Sequence, residues 1–183
     1  MQRLAHLVHE SLAQPLDLER LRVLKREAAR AIVTRNDKIL LLYTERYDDF
    51  SFPGGGIDPG ESPESGLQRE LHEETGANEI KIVSHFGYVT EYAPTFKADW
   101  DLMYQTSHWF KCEIGQTLGD TRFEDYEIAN GMSATWISLK DALAHNRNVI
   151  QRRPAKMGIS IHRETLVLEQ VVKALAESSQ VPA

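Results

Sequence analysis

The chain has 183 residues, about the size of one domain with a respectable core, and its 42% hydrophobic and 26% charged residues are ordinary for a globular protein. A formal net charge of −6 argues against a general nucleic-acid or membrane-surface binder, while a small phosphorylated ligand stays open because a bound cation can reverse the local field. The single cysteine, Cys112, excludes an internal disulfide and a cysteine-based zinc site, and fits a reducing cytoplasm.

Leu4, Leu7, Val8 and Leu12 recur at helical spacing before Pro15, so an N-terminal helical extension is expected over about residues 1–24. There is no signal-type apolar core, and no apolar run of 18 residues that would span a membrane. A cytoplasmic protein is expected. "REAARAIVTRNDKILLLYTE" reads as a hairpin, with Asn36-Asp37 at the turn and Lys38 to Tyr43 as the return strand. "YDDFSFPGGGIDPGES" is a Gly-, Pro- and Asp-rich loop. Ser62 is a good N-cap, Pro63 suits the first helical position and Gly76 the position just past the end, which predicts a helix from Pro63 to Thr75. Strand-like runs follow in "EIKIVSHFGYVTEY", "LMYQTSHWFKCEI" and "ATWISL". "LKDALAHN" suggests a short helix. An amphipathic helix is expected over about 162–178, with "SSQVPA" frayed at the end. No repeat or linker divides the chain, so residues 1–183 read as one domain with strands and helices intermixed, α/β or α+β.

The helix over 63–75 poses a chemical question. "RELHEETGA" places Glu70, Glu73 and Glu74 on one arc about 100° wide, at i,i+3 and i,i+4 spacings. Like charges so placed oppose a helix by about 0.2–0.5 kcal/mol per pair, and Arg69 alone does not balance them. A solvated acidic face is the simple explanation. The preceding "FPGGG" points elsewhere, because three consecutive glycines let main chain approach a ligand closely. Carboxylates and bare carbonyls gathered in one place are hard oxygen donors suited to Mg²⁺ or Mn²⁺.

Gly55, Glu61 and the run from Arg69 to Ala77 match at every specified position the box GX5EX7REUXEEXGU, U being apolar. A chance match is on the order of one in a billion per start site. By these residues the chain resembles the Nudix hydrolases from about Ala28 to Leu143. The resemblance implies the Nudix fold, an α/β/α sandwich with a mixed central β-sheet and the box loop and helix at the active site. It also implies metal-dependent hydrolysis of a nucleoside diphosphate linked to another moiety, by water attack at phosphorus. Glu70 and Glu74 are then the best direct metal ligands. Glu73 is a ligand, directly or through water, or a base, and the Gly55 carbonyl completes the shell. Arg69 would orient the carboxylates. The base often lies outside the box in this family. Here "TRFEDYEIANGMSATW" offers Glu127 first and Glu124 second, against the plain alternative of a solvated acidic loop. Arg46, Phe52 and Tyr92 are candidate substrate contacts, the first to a phosphate and the aromatics to a base. The expected cofactor is Mg²⁺ or Mn²⁺ and the expected partner a small nucleoside diphosphate derivative, with neither nucleic acid nor membrane. The terminal additions offer a homodimer interface. Two other readings share the fold: a nucleotide-sensing module without hydrolysis, and an isopentenyl diphosphate isomerase, which Cys112 fits poorly.

Overall fold

The computed structural model describes residues 1–12 and 14–178. Its elements run β1 (Arg3–Val8), β2 (Val23–Ile32), β3 (Thr34–Arg35), β4 (Lys38–Thr44), β5 (Asp49–Ser51), α1 (Pro63–Thr75), β6 (Lys81–Ala93), β7 (Leu102–Glu113), α2 (Asp125–Ala129), β8 (Met132–Ser138), α3 (Leu139–Arg152) and α4 (Ile161–Ser178). A four-stranded mixed sheet has the order β1-β6-β7-β2, with both outer strands parallel to their neighbours and β6-β7 antiparallel. Beside it stands an antiparallel sheet in which β4 pairs with β3, β5 and β8.

Two apolar cores hold these layers. One joins Ile32, Val89 and Trp109 of the mixed sheet to Ile39, Leu41 and Phe52, and to Val167, Leu168 and Val171 of α4. The other seats Leu67 and Leu71 of α1 on Ala29, Ala31, Phe110 and Cys112. Alternation along β2 explains the split, since Ala29 and Ala31 point to one face and Ile32 to the other. Cys112 is buried, and burial pushes its thiol up to about 12, which suits packing.

Helix α1 has the predicted ends. The Ser62 hydroxyl accepts from the Ser65 N–H at 3.1 Å, and Gly76 takes φ 68 just past the last turn. Other expectations need correction. The N-terminal segment contains a strand, β1, where a helix was expected, because pairing with β6 supplies backbone partners that a short helix lacks. The hairpin is confined to β3-β4, while Ala28–Ile32 pairs with β7 instead. Helix α3 is longer than "LKDALAHN" and continues to Arg152. The C-terminal helix lies over Ile161–Ser178, and the expected frayed end, 179–183, falls outside the described residues. No described helix is long and apolar enough to cross a membrane.

Candidate active site

The glycine loop between β5 and α1 is held by its own backbone. Ala31 N–H donates to Pro53 O at 2.8 Å, Ala29 N–H to Gly55 O at 3.0 Å, and Ile57 N–H to Glu27 O at 3.1 Å. The loop thus lies along the edge of β2. Closeness explains the glycines. A Cβ on Gly54, whose φ is +127, would collide with the Ala29 carbonyl oxygen, and one on Gly55 would stand 2.5 Å from the Glu70 carboxyl carbon.

The helix delivers its carboxylates to this loop from the other side. Glu74 is only 4% exposed and accepts from Gly54 N–H at 2.5 Å. Burial pushes its pKa well up, and the neighbouring Glu70 and Glu127 charges push the same way. Burial also raises Glu70, against the pull of Arg69. Glu73 is the most open of the three. Arg69 binds this group together. Its guanidinium meets Glu61 at 3.1 Å, Glu70 at 2.8 Å and Glu73 at 3.4 Å, and Glu61 and Glu70 raise its own pKa. Glu61 also accepts from Asp58 N–H, so it clamps loop to helix. Among the described residues no three acidic or histidine side chains converge on one point at ligand distance. Arg69 engages Glu70 and Glu73, and Gly54 engages Glu74.

The donor chemistry nevertheless fits a hard divalent cation. Two desolvated carboxylates with raised proton affinity sit beside main-chain carbonyls at a glycine loop, an arrangement that a positive ion would relieve. Glu70, Glu74 and Glu73 would hold it, with the Gly55 carbonyl, which already accepts from Ala29 and has a second lone pair.

Residues 24–156 match the NUDIX domain. The chain belongs to the NUDIX family. With it comes the enzyme class, a Nudix hydrolase of diphosphate linkages. An RNA pyrophosphohydrolase of Proteus mirabilis is 29% identical over 134 residues, which cover 66% of this chain and 76% of that one. Another, of Yersinia pestis (strain Pestoides F), is 30% identical over 111 residues, 60% of this chain and 52% of its own. The chain therefore spans about half the length of this Yersinia relative. Among solved structures, the MutT protein from Bacillus halodurans is 21% identical, covering 73% of this chain and 83% of that one at a TM-score of 0.49. A NUDIX hydrolase from Nitrosomonas europaea is 19% identical, covering 69% and 84% at 0.47.

The Nudix box accounts for part of the site, and the other expected residues divide. Glu127 is 4% exposed on α2. It accepts from Glu124 N–H at 2.8 Å and from the Tyr126 hydroxyl at 3.0 Å, and its charge reaches Glu74. The stretch read as an acidic loop is a short helix there. Glu124 caps that helix and stays exposed. Arg46 lies at the turn after β4, donates to the Asn130 side chain at 3.0 Å, and lines a cavity of about 540 Å³ with Lys156 and Ile128. Phe52 is a correction. It is fully buried, edge-to-face on Trp109 at 6.1 Å, and cannot stack on a base. Tyr92 is another. It pairs with Tyr104 while Arg26 pairs with Gln105, so alternation puts Tyr92 on the face of the sheet turned away from Arg26.

Two arginines on β2 escaped the sequence reading. Arg30 donates from Nη1 to Phe52 O at 3.2 Å and to Gly54 O, so it pins the loop, and its charge favours the anionic forms of Glu70 and Glu74. Arg26 reaches over Gly56, within 3.1 Å of where a Cβ would stand, and is exposed without an ion pair or hydrogen bond among the described residues. Tyr126 of α2 lies close enough to influence Arg26. The signal available was the position of both arginines in the strand that runs into the glycine loop, at i and i+4 on one face.

Proposed function

We propose that this Nudix enzyme is a metal-dependent pyrophosphohydrolase that cleaves a nucleotide diphosphate linkage by water attack at phosphorus, with Mg²⁺ or Mn²⁺ as cofactor. One observation carries the reading: a buried carboxylate, Glu74, is held at the glycine loop with Glu70 against the same main chain. A divalent cation bound there supplies charge neutralisation at the phosphates and a more acidic water. Glu70, Glu74 and Glu73 are its holders, and Glu70 must turn from Arg69 to serve. Arg69 then keeps Glu73 and Glu61 oriented, and Arg30 keeps the loop in place. Arg26 has its guanidinium available to a phosphate oxygen at the mouth. Glu127 is the better base, since it is buried beside Glu74 while Glu124 is exposed.

The relatives named RNA pyrophosphohydrolase favour the 5′ end of an RNA as substrate, alongside small nucleoside diphosphate derivatives. The test is a panel with Mg²⁺ or Mn²⁺: 5′-triphosphorylated RNA, nucleoside triphosphates, nucleotide sugars and dinucleoside polyphosphates, each followed by released phosphate. Turnover on at least one compound, lost on chelation, is expected. Tight nucleotide binding without turnover on any would replace the enzyme by the sensing module.

A further inference from the structure

A pair of histidines lies outside the candidate active site. His85 on β6 and His108 on β7 meet across the antiparallel pair, with Nε2 of the first 3.2 Å from Nδ1 of the second. His85 stands opposite Phe110 and His108 opposite Tyr88, and the β-bulge between His85 and Gly87 brings the diagonal pair of rings onto one face, with Phe110 and Tyr88 beside them. Neither of these two nitrogens has another hydrogen-bond partner among the described residues.

We propose that His85 and His108 form a two-imidazole chelate for a borderline transition metal ion such as Cu²⁺, Ni²⁺ or Zn²⁺, separate from the carboxylate site. Geometry is the first support. Two nitrogens about 2.05 Å from one ion, at angles between square and tetrahedral, lie about 2.9 to 3.4 Å apart, and 3.2 Å falls inside that range. The chelate is also preformed, because both rings are fixed by one sheet and their mutual packing. In the metal-free protein the same spacing is closed by one N–H···N hydrogen bond. An entering ion needs only a tautomer shift, moving that proton to the outer nitrogen of its ring, so no proton leaves the protein.

The surroundings favour a cation. Glu64 of α1 bears on both rings and Glu27 of β2 on His108, and both carboxylates favour positive charge. At His85 the His108 ring and the N-terminal amino group oppose them. Burial holds both histidines below their ordinary pKa, helped at His85 by the His108 ring, so the lone pairs are available at neutral pH. No third side chain completes a cage among the described residues, so water fills the remaining positions. That shell excludes Mg²⁺, which demands oxygen donors, and so keeps the two sites chemically distinct.

The experiment loads the full chain with one equivalent of Cu²⁺ in the presence of excess Mg²⁺ and records electron paramagnetic resonance. Coupling to two imidazole nitrogens is expected. His85→Gln and His108→Asn should each remove one nitrogen and weaken Cu²⁺ binding by about tenfold or more in calorimetry. His6→Gln serves as the control at the exposed histidine of β1. Unchanged coupling in both variants, oxygen-only coordination, or loss of the signal in the His6 variant alone would overturn the proposal. The panel turnover with Mg²⁺ stays independent of it, since neither histidine touches the box.

Discussion

Glu74 combines two demands that conflict. It is almost wholly inside the protein, where a charge is costly, and it would be needed as an anion against a cation. The carboxylate shape is held by Gly54 N–H, which a glutamine oxygen can also satisfy. Glu74→Gln is therefore expected to keep or raise resistance to urea while turnover drops by about a hundredfold or more. Equal losses of both would mean the side chain is only a structural peg. Asp49 shows the same cost away from the site. It is buried near Glu164 and Asp48, and burial raises it to about 7. Between about pH 4 and 7 the native state then binds more protons than the unfolded chain, so stability falls as pH rises through that window and levels off above it. The loss from Asp49 is up to about 4 kcal/mol, and Asp49→Asn should shrink the pH dependence by that share while the part from Glu74 persists, which urea midpoints at pH 5 and pH 8 would reveal.

At the scale of elements, the loop that carries the chemistry is positioned by chains of buried charge. Glu164 at the start of α4 accepts from Phe52 N–H at 3.2 Å and from Arg163 at 3.1 Å, and Arg163 reaches Glu91 on β6 at 2.5 Å. All three side chains are at most 5% exposed. The C-terminal helix is thereby tied to the residue two places before Gly54. Arg163→Met leaves two buried carboxylates unpaired and should cost about 3–5 kcal/mol. Adding Glu91→Gln should return part of that loss, and urea denaturation of the single and double variants measures both. None of this was legible in the sequence, where "HRETLVLEQ" reads as an ordinary amphipathic helix. The box helix was legible to its last residue, because its caps and its clustered carboxylates are contiguous and their rules are local. β1 was not, because its partner β6 begins more than seventy positions later and only that pairing turns the segment from helix to strand. Phe52 and Tyr92 failed for a related reason. An aromatic next to a motif does not say which face it will take, and the sheet register decides that.

Across the whole molecule, the candidate active site lies where the layers meet: α1 carries the clustered carboxylates, β2 the arginines, the β5-α1 loop the glycines, and α2 brings Glu127 near Glu74. The result is a concentration of anionic groups in a chain whose net charge is already −6. Such a site costs stability until it is filled, so its ligand should be visible in global unfolding. A cation that binds only the native state adds about 2.7 kcal/mol at a hundred times its dissociation constant. For a domain of this size that is a rise in Tm of about 5–10 °C. Mg²⁺ or Mn²⁺ should therefore raise the Tm of the wild-type chain, measured by calorimetry or circular dichroism, and Na⁺ at equal ionic strength provides the control for screening. In the Glu70→Gln, Glu74→Gln double variant the starting Tm should be no lower, because two buried carboxyls no longer oppose folding, and the rise on adding Mg²⁺ should vanish. A rise that survives in the double variant would place the cation elsewhere and remove the physical reason for gathering those carboxylates at the glycine loop.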